Sequence, residues 1–174
     1  MLRSLLLLVT FLASSTLMAA DFTVPGTSVQ FEAPEGFTPL EQHEVDIKFP
    51  SKSAPRHVLG NKRRTTTIAY DLKTVPITAE VLESQLDAIG ESMGRVIPGF
   101  VSIRREIRAI NGVHWGYFEM GSSAVDTDIH NIVLMLPYEG QMVVFNSNAT
   151  KADFEVLEVK LRSSIASIRV GGEG

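Results

Sequence analysis

The stretch VSIRREIRAINGVHWGYFEMGSSAVDTDIHNIVLMLPYEGQMVVFNSN, residues 101–148, decides the fold. Val101, Ile103 and Ile107 alternate with polar residues up to Ile110. Asn111-Gly112 then interrupts, and Val113, Trp115 and Tyr117 resume the alternation. An Asn-Gly pair between two alternating runs is the composition a two-residue hairpin requires, because both turn residues take positive φ. A third run over 129–137 is turned by Glu139-Gly140 into a fourth over 142–148. Four strands joined by short turns read as an antiparallel meander.

Helical patterns lie on either side of the meander. Upstream, Leu82, Leu86, Ile89, Met93 and Val96 recur at spacings of four and three. They put one apolar stripe on a helix that Thr78 caps and Pro98-Gly99 ends. Downstream, Thr150 and Asp153 have the spacing of a capping box, with Asp in place of Glu or Gln. Phe154, Leu157, Leu161, Ile165 and Ile168 then stripe a last helix. Nearer the start, Val29, Phe31 and Ala33 alternate as a strand, and Val45, Ile47 and Phe49 predict another over 41–49. Residues 50–64 have no apolar period and read as a surface loop, and residues 65–72 read as a strand. The expected class is α+β, a mainly antiparallel sheet with helices packed on it. One domain is expected over 21–170, with a flexible tail over 171–174.

The first twenty residues have the layout of a secretory signal peptide: Arg3, an apolar run over 5–12, and small residues up to Ala19-Ala20. The run is about half the ~20 residues a spanning helix needs. Cleavage near Ala19 or Ala20 and release to the periplasm are expected, with no stable membrane insertion afterwards. There is no cysteine, which excludes disulfides, thiolate metal sites, thiol catalysis and a cysteine-linked lipid anchor. Without the leader, 15 basic residues face 20 acidic ones, a net charge of −5 that argues against nucleic acid as the partner.

No catalytic motif is present: no Gly-x-Ser-x-Gly elbow, no His-Glu-x-x-His, no phosphate loop and no dinucleotide fingerprint. Asp126, Asp128 and His130 alternate, so a strand would show all three on one face as candidate metal ligands. The competing reading is a polar turn entering a strand. The residues chosen for a partner site are Arg56, His57, Lys62, Arg63 and Arg64 in the basic loop, because guanidinium groups at this density suit carboxylate or phosphate recognition and loops carry binding function. The alternating run of His114, Trp115, Gly116, Tyr117 and Phe118 is a second choice, with one of its two faces assigned to the core.

Several local pieces resemble the PsbP-like superfamily, which includes the DcrB-like periplasmic proteins. They are Val29-x-Phe31-x-Ala33-Pro34-x-Gly36-Phe37, the helix over 78–93, the hairpin at Asn111-Gly112 and the closing run over 161–168. The resemblance covers most of the exported chain, and it implies an antiparallel sheet between helices and an accessory or binding role without catalysis. None of its motifs is catalytic, so it carries no site residues over, and fold alone does not transfer function. The expectation is a non-enzymatic exported protein, without a cofactor, that contacts another envelope protein through a loop or sheet face. Two alternatives remain open. One is a small envelope enzyme or metal-dependent protein using Asp126, Asp128 and His130. The other is an immunity-type inhibitor of a toxin.

Overall fold

The computed structural model describes residues 20–51, 54–124 and 126–171. The leader up to residue 19, Lys52 of the basic loop and the tail from 172 lie outside the described residues. The chain order is β1 (Ala20–Thr23), β2 (Val29–Ala33), β3 (Thr38–Pro39), α1 (Gln42–Lys48), β4 (His57–Gly60) and β5 (Thr66–Lys73). There follow α2 (Ala79–Ser84), α3 (Leu86–Val96), β6 (Val101–Ile110), β7 (Val113–Ser123), β8 (Asp128–Tyr138), β9 (Gln141–Thr150), α4 (Lys151–Ala166) and β10 (Arg169–Val170).

The large sheet has seven strands in the order β3-β4-β5-β9-β8-β7-β6, all paired antiparallel. The meander is its larger half. Asn111 and Gly112 take φ of 47° and 81°, and Glu139 and Gly140 take 47° and 71°. These are the left-handed pairs that let two-residue turns follow the twist of the strands. After β5 the chain crosses over through α2 and α3 to the far edge. It then folds back strand by strand until β9 lies against β5, Thr66 opposite Ala149 and Lys73 opposite Met142.

A second sheet, β1-β2-β10, and α4 cover one face of the large sheet. The main core lies between these layers: Phe31, Trp115, Tyr117, Leu134, Phe145 and Leu161 are all buried there. β2 shows why: its residues alternate buried and exposed, Val29, Phe31 and Ala33 inward and Gln30 and Glu32 outward. The α+β class and the sheet-with-helices architecture read from the sequence match this arrangement. β10 lies directly before the tail expected over 171–174. Val170 pairs with Val29, and the Gly171 amide donates to the Ser28 carbonyl at 3.0 Å.

Three elements differ from the sequence reading. Residues 41–49 are not a strand but α1, whose first turn is closed by Glu44 accepting from the Glu41 amide at 2.8 Å. Val45 is buried against Val58 and Ala69, with Phe49 beside it, while Ile47 is 77% exposed. Residues 50–64 are not all loop: β4 buries Val58 and Leu59 and starts the hairpin into β5. The long helix after Thr78 is two helices that meet at Gln85, where the backbone leaves helical geometry (φ −107°, ψ 9°). Thr78 does cap the first, its hydroxyl accepting from the Val81 amide at 3.3 Å.

Candidate functional site: the uncovered strip of the sheet

The second face of the large sheet is covered only at its two sides. On one side α1 packs Val45 on Val58 of β4 and Ala69 of β5. On the other, Leu86, Ile89 and Met93 of α3 pack on Phe118, Met120 and Val133 of β7 and β8. The strip between them, over β5, β9 and β8, lies open as a cleft of about 810 Å³. Phe49, Pro50, Ala54 and Pro55 form one wall, and Ile97, Pro98 and Ala124 the other. The second wall is tied to the end of β7, the Ser123 amide donating to the Pro98 carbonyl at 2.9 Å.

The sequence of β9 explains the floor. Val143, Phe145 and Ala149 point into the main core, so Val144, Asn146 and Asn148 occupy the opposite face. A face sealed under helices would be apolar here. Asn148 pairs with Thr67 on β5 and Asn131 on β8, so the three polar side chains form one row across three strands. The Asn131 side-chain nitrogen donates to Ser122 Oγ at 2.8 Å. Asn146 Oδ1 is buried with no hydrogen-bond partner among the described residues.

One end of the strip is charged. Asp71, its side chain 3% exposed, accepts from Arg56 Nε at 2.9 Å and pairs with Lys73 Nζ at 2.7 Å. Burial pushes its pKa up, but the hydrogen bonds from Arg56 and Lys73 outweigh that and hold it below the usual carboxylate range. Two cations therefore share one carboxylate, and this end carries one excess positive charge.

The structure separates the basic residues that the sequence grouped. Arg56 stands at the charged end of the strip. His57 is the first residue of β4 and stacks on Tyr70, ring centroids 5.5 Å apart. Lys62, Arg63 and Arg64 lie beyond the other end of β4, in the turn to β5. Lys62 is exposed there. Arg63 pairs with Asp153 in the first turn of α4 at 2.5 Å, and Arg64 pairs with Glu44 of α1 at 2.9 Å. The capping box at Thr150 is half present: Thr150 Oγ1 accepts from the Asp153 amide at 3.2 Å, while the Asp153 carboxylate turns to Thr65, Thr66 and Arg63.

The segment weighed as a metal site is partitioned. Asp126 precedes β8, Asp128 accepts from Ser123 Oγ at 3.2 Å, and His130 Nε2 lies 2.9 Å from Glu119 Oε1. No cluster of three His, Asp or Glu side chains is placed to hold a metal ion among the described residues. In the aromatic run, Trp115 and Tyr117 belong to the main core, Phe118 lies under α3, and His114 is exposed.

One charged cluster was missed. Glu119, 5% exposed, accepts from Tyr117 Oη at 2.7 Å and from Arg162 of α4 at 2.7 Å. Burial pushes its pKa up, but the hydrogen bonds from Arg162, Tyr117 and His130 prevail and lower it to about 2. The available signal was its place on the same alternation as Trp115 and Tyr117, which puts a carboxylate on a core-facing position. Its contacts are all structural: it clamps α4 to β7 and β8.

No protein-family model matches the chain, and no curated protein matches it in sequence. Solved structures do share its fold. The cyanobacterial PsbP (CyanoP) of Synechocystis sp. PCC 6803 superposes with a TM-score of 0.62 at 12% identity, over 90% of this chain and 96% of that one. LpqN of Mycobacterium tuberculosis, described as involved in cell envelope biogenesis, gives 0.57 at 14% identity, over 88% and 86%. The Ran-binding protein Mog1p of Saccharomyces cerevisiae gives 0.51 at 13% identity, over 88% and 95%. At these identities the likeness concerns the fold, which is PsbP-like.

Proposed function

We propose that the chain is an exported, non-enzymatic binding or accessory protein of the periplasm, and that it contacts another envelope protein through the uncovered strip of its large sheet. The observation that carries this reading is the strip itself. A sheet face flanked by two helical covers is left open over its middle strands, and its floor sets Asn131, Asn146 and Asn148 among apolar residues such as Val144 and Ile129. Concave surfaces with apolar walls and a few convergent polar groups are the usual form of a binding site. Arg56, one of the residues singled out in the sequence, belongs to this surface through Asp71. Lys62 is retained as a peripheral contact. Arg63 and Arg64 are retained in the proposal only as supports of the turn that carries Lys62, since both cations are already paired.

Export is supported by the leader pattern in residues 1–20. The accessory role is supported by the neighbours, which include a Ran-binding protein and a protein of envelope biogenesis. The test is affinity capture from envelope extract with three baits: the wild type, Asn148→Trp to fill the cleft, and Val159→Glu on the outer face of α4. A stoichiometric partner held by the wild type and Val159→Glu, and lost by Asn148→Trp, is the expected result. A partner held equally by all three baits would remove the cleft from the account.

A further inference from the structure

The floor of the cleft selects a type of occupant. Asn146 and Asn148 lie two residues apart on β9, so their carboxamides repeat every ~6.8 Å along the strip. An extended polypeptide repeats its like-facing peptide groups at the same distance. A carboxamide offers one acceptor oxygen and two N–H donors, the set that pairs with a peptide N–H and C=O. Asn146 Oδ1 is buried without a donor, a state that costs free energy and that is relieved by an incoming N–H once the side chain turns toward the cleft. The walls supply proline and aliphatic surface from Pro50, Pro55, Ile97 and Pro98. Phe49, partly buried against the Val45, Val58 and Ala69 cluster, adds aromatic surface to one wall. At one end Arg56 and Lys73 share the single carboxylate of Asp71, leaving an excess positive charge.

We infer that the cleft binds an extended peptide segment, laid along β9, with its amides on Asn146 and Asn148 and a carboxylate at the Arg56–Lys73 end. This rests on the reading of the cleft as the partner site and names the form in which the partner enters it. The segment donates to Asn146 as that side chain turns outward, places alternate side chains against the proline-lined walls, and neutralises the charged end.

The test is panning of a random phage-displayed peptide library on the full chain, followed by fluorescence polarisation with synthetic peptides from the enriched clones. Enriched peptides that carry an Asp, a Glu or a free C-terminus at one end are expected. They should bind Asn146→Leu and Asn148→Leu about tenfold more weakly, the loss expected when an amide pair is removed. Thermal melts of both variants confirm that they are folded, and Val159→Glu should bind as the wild type does. Failure to enrich any peptide, or equal binding by the wild type and both asparagine variants, overturns the inference. So does a soluble oligosaccharide that shifts the Asn146 and Asn148 side-chain NMR signals when the peptides do not. The capture experiment keeps the two claims apart. A partner lost by Asn148→Trp while no peptide binds leaves the cleft in place and removes the extended peptide. No dependence on the cleft in either experiment removes both.

Discussion

Glu119 and Asn111 show how much single residues hold. Glu119 is ionised inside the contact between α4 and the sheet, with a pKa of about 2 against an ordinary value near 4.5. Its pKa is lowered on folding, so its contribution is complete above about pH 4.5 and is lost as the pH falls towards 2. The shift corresponds to a contribution on the order of 3 kcal/mol. Glu119→Gln should lose about that much in urea denaturation at neutral pH, and the gap between variant and wild type should close as the pH approaches 2. A gap that stays constant across that window would mean the carboxylate charge is not the stabilising element. Asn111 has two tasks. It adopts a positive φ in the turn between β6 and β7, and its side-chain nitrogen donates to the carbonyls of Ala166 and Ile168 at 2.9 and 2.8 Å. Asn111→Ala should cost about 2 kcal/mol, and Asn111→Gly less, because glycine keeps the backbone geometry and loses only the hydrogen bonds. Equal losses in chemical denaturation would refute that division. The Asn-Gly pair made the turn legible in the sequence. The bond to the end of α4 joins residues about fifty-five apart, and no local pattern announces it.

Within single elements, a short apolar pattern can fit two periods or show none. Val45, Ile47 and Phe49 alternate as a strand would, yet Val45 and Phe49 are also four apart, on one face of a helix. The helix prevails because Glu41 and Glu44 close its first turn and Ile47 can face solvent. β4 has only four residues, too few for a period to show, and it is made a strand by its neighbour β5. The stripe after Thr78 was legible as helix, but its break was not, because both halves keep the same spacing. The two halves dock at different points along β7. Leu82 of α2 settles over Gly116 of β7, where an added Cβ would sit 3.1 Å from Leu82 Cδ1, and α3 packs over Phe118 and Met120. Gly116→Val should therefore push α2 off the sheet at a cost of about 2 kcal/mol, seen as a lower thermal midpoint. An unchanged midpoint would show that α2 shifts freely, contrary to this packing.

Across the whole molecule the two faces of the large sheet are built differently. One is sealed under α4 and the small sheet by a continuous aromatic and aliphatic core, and its alternation made it readable residue by residue. The other is sealed only at its sides, and the open strip arises where β5, β8 and β9 bring Thr67, Asn131 and Asn148 into one row. Asparagine in a strand looks like an ordinary outward-facing residue, so the cleft could not be read before the three strands were aligned. A site of this kind should be retained at some expense of stability. Asn146→Leu removes a buried acceptor that has no partner, so it should leave the thermal midpoint unchanged or raise it while weakening partner binding. A large fall in the midpoint would instead make Asn146 a structural residue.

The most direct measurement places a photo-crosslinking amino acid, in cells, at Ala54 and at Ala124 on the two walls of the cleft, and at Val159 on the outer face of α4. Both wall positions should crosslink to the same envelope protein, and Val159 should not. Crosslinks from Val159 alone, or to unrelated proteins from the two walls, would contradict the claim that the open strip of the sheet is where this protein meets its partner.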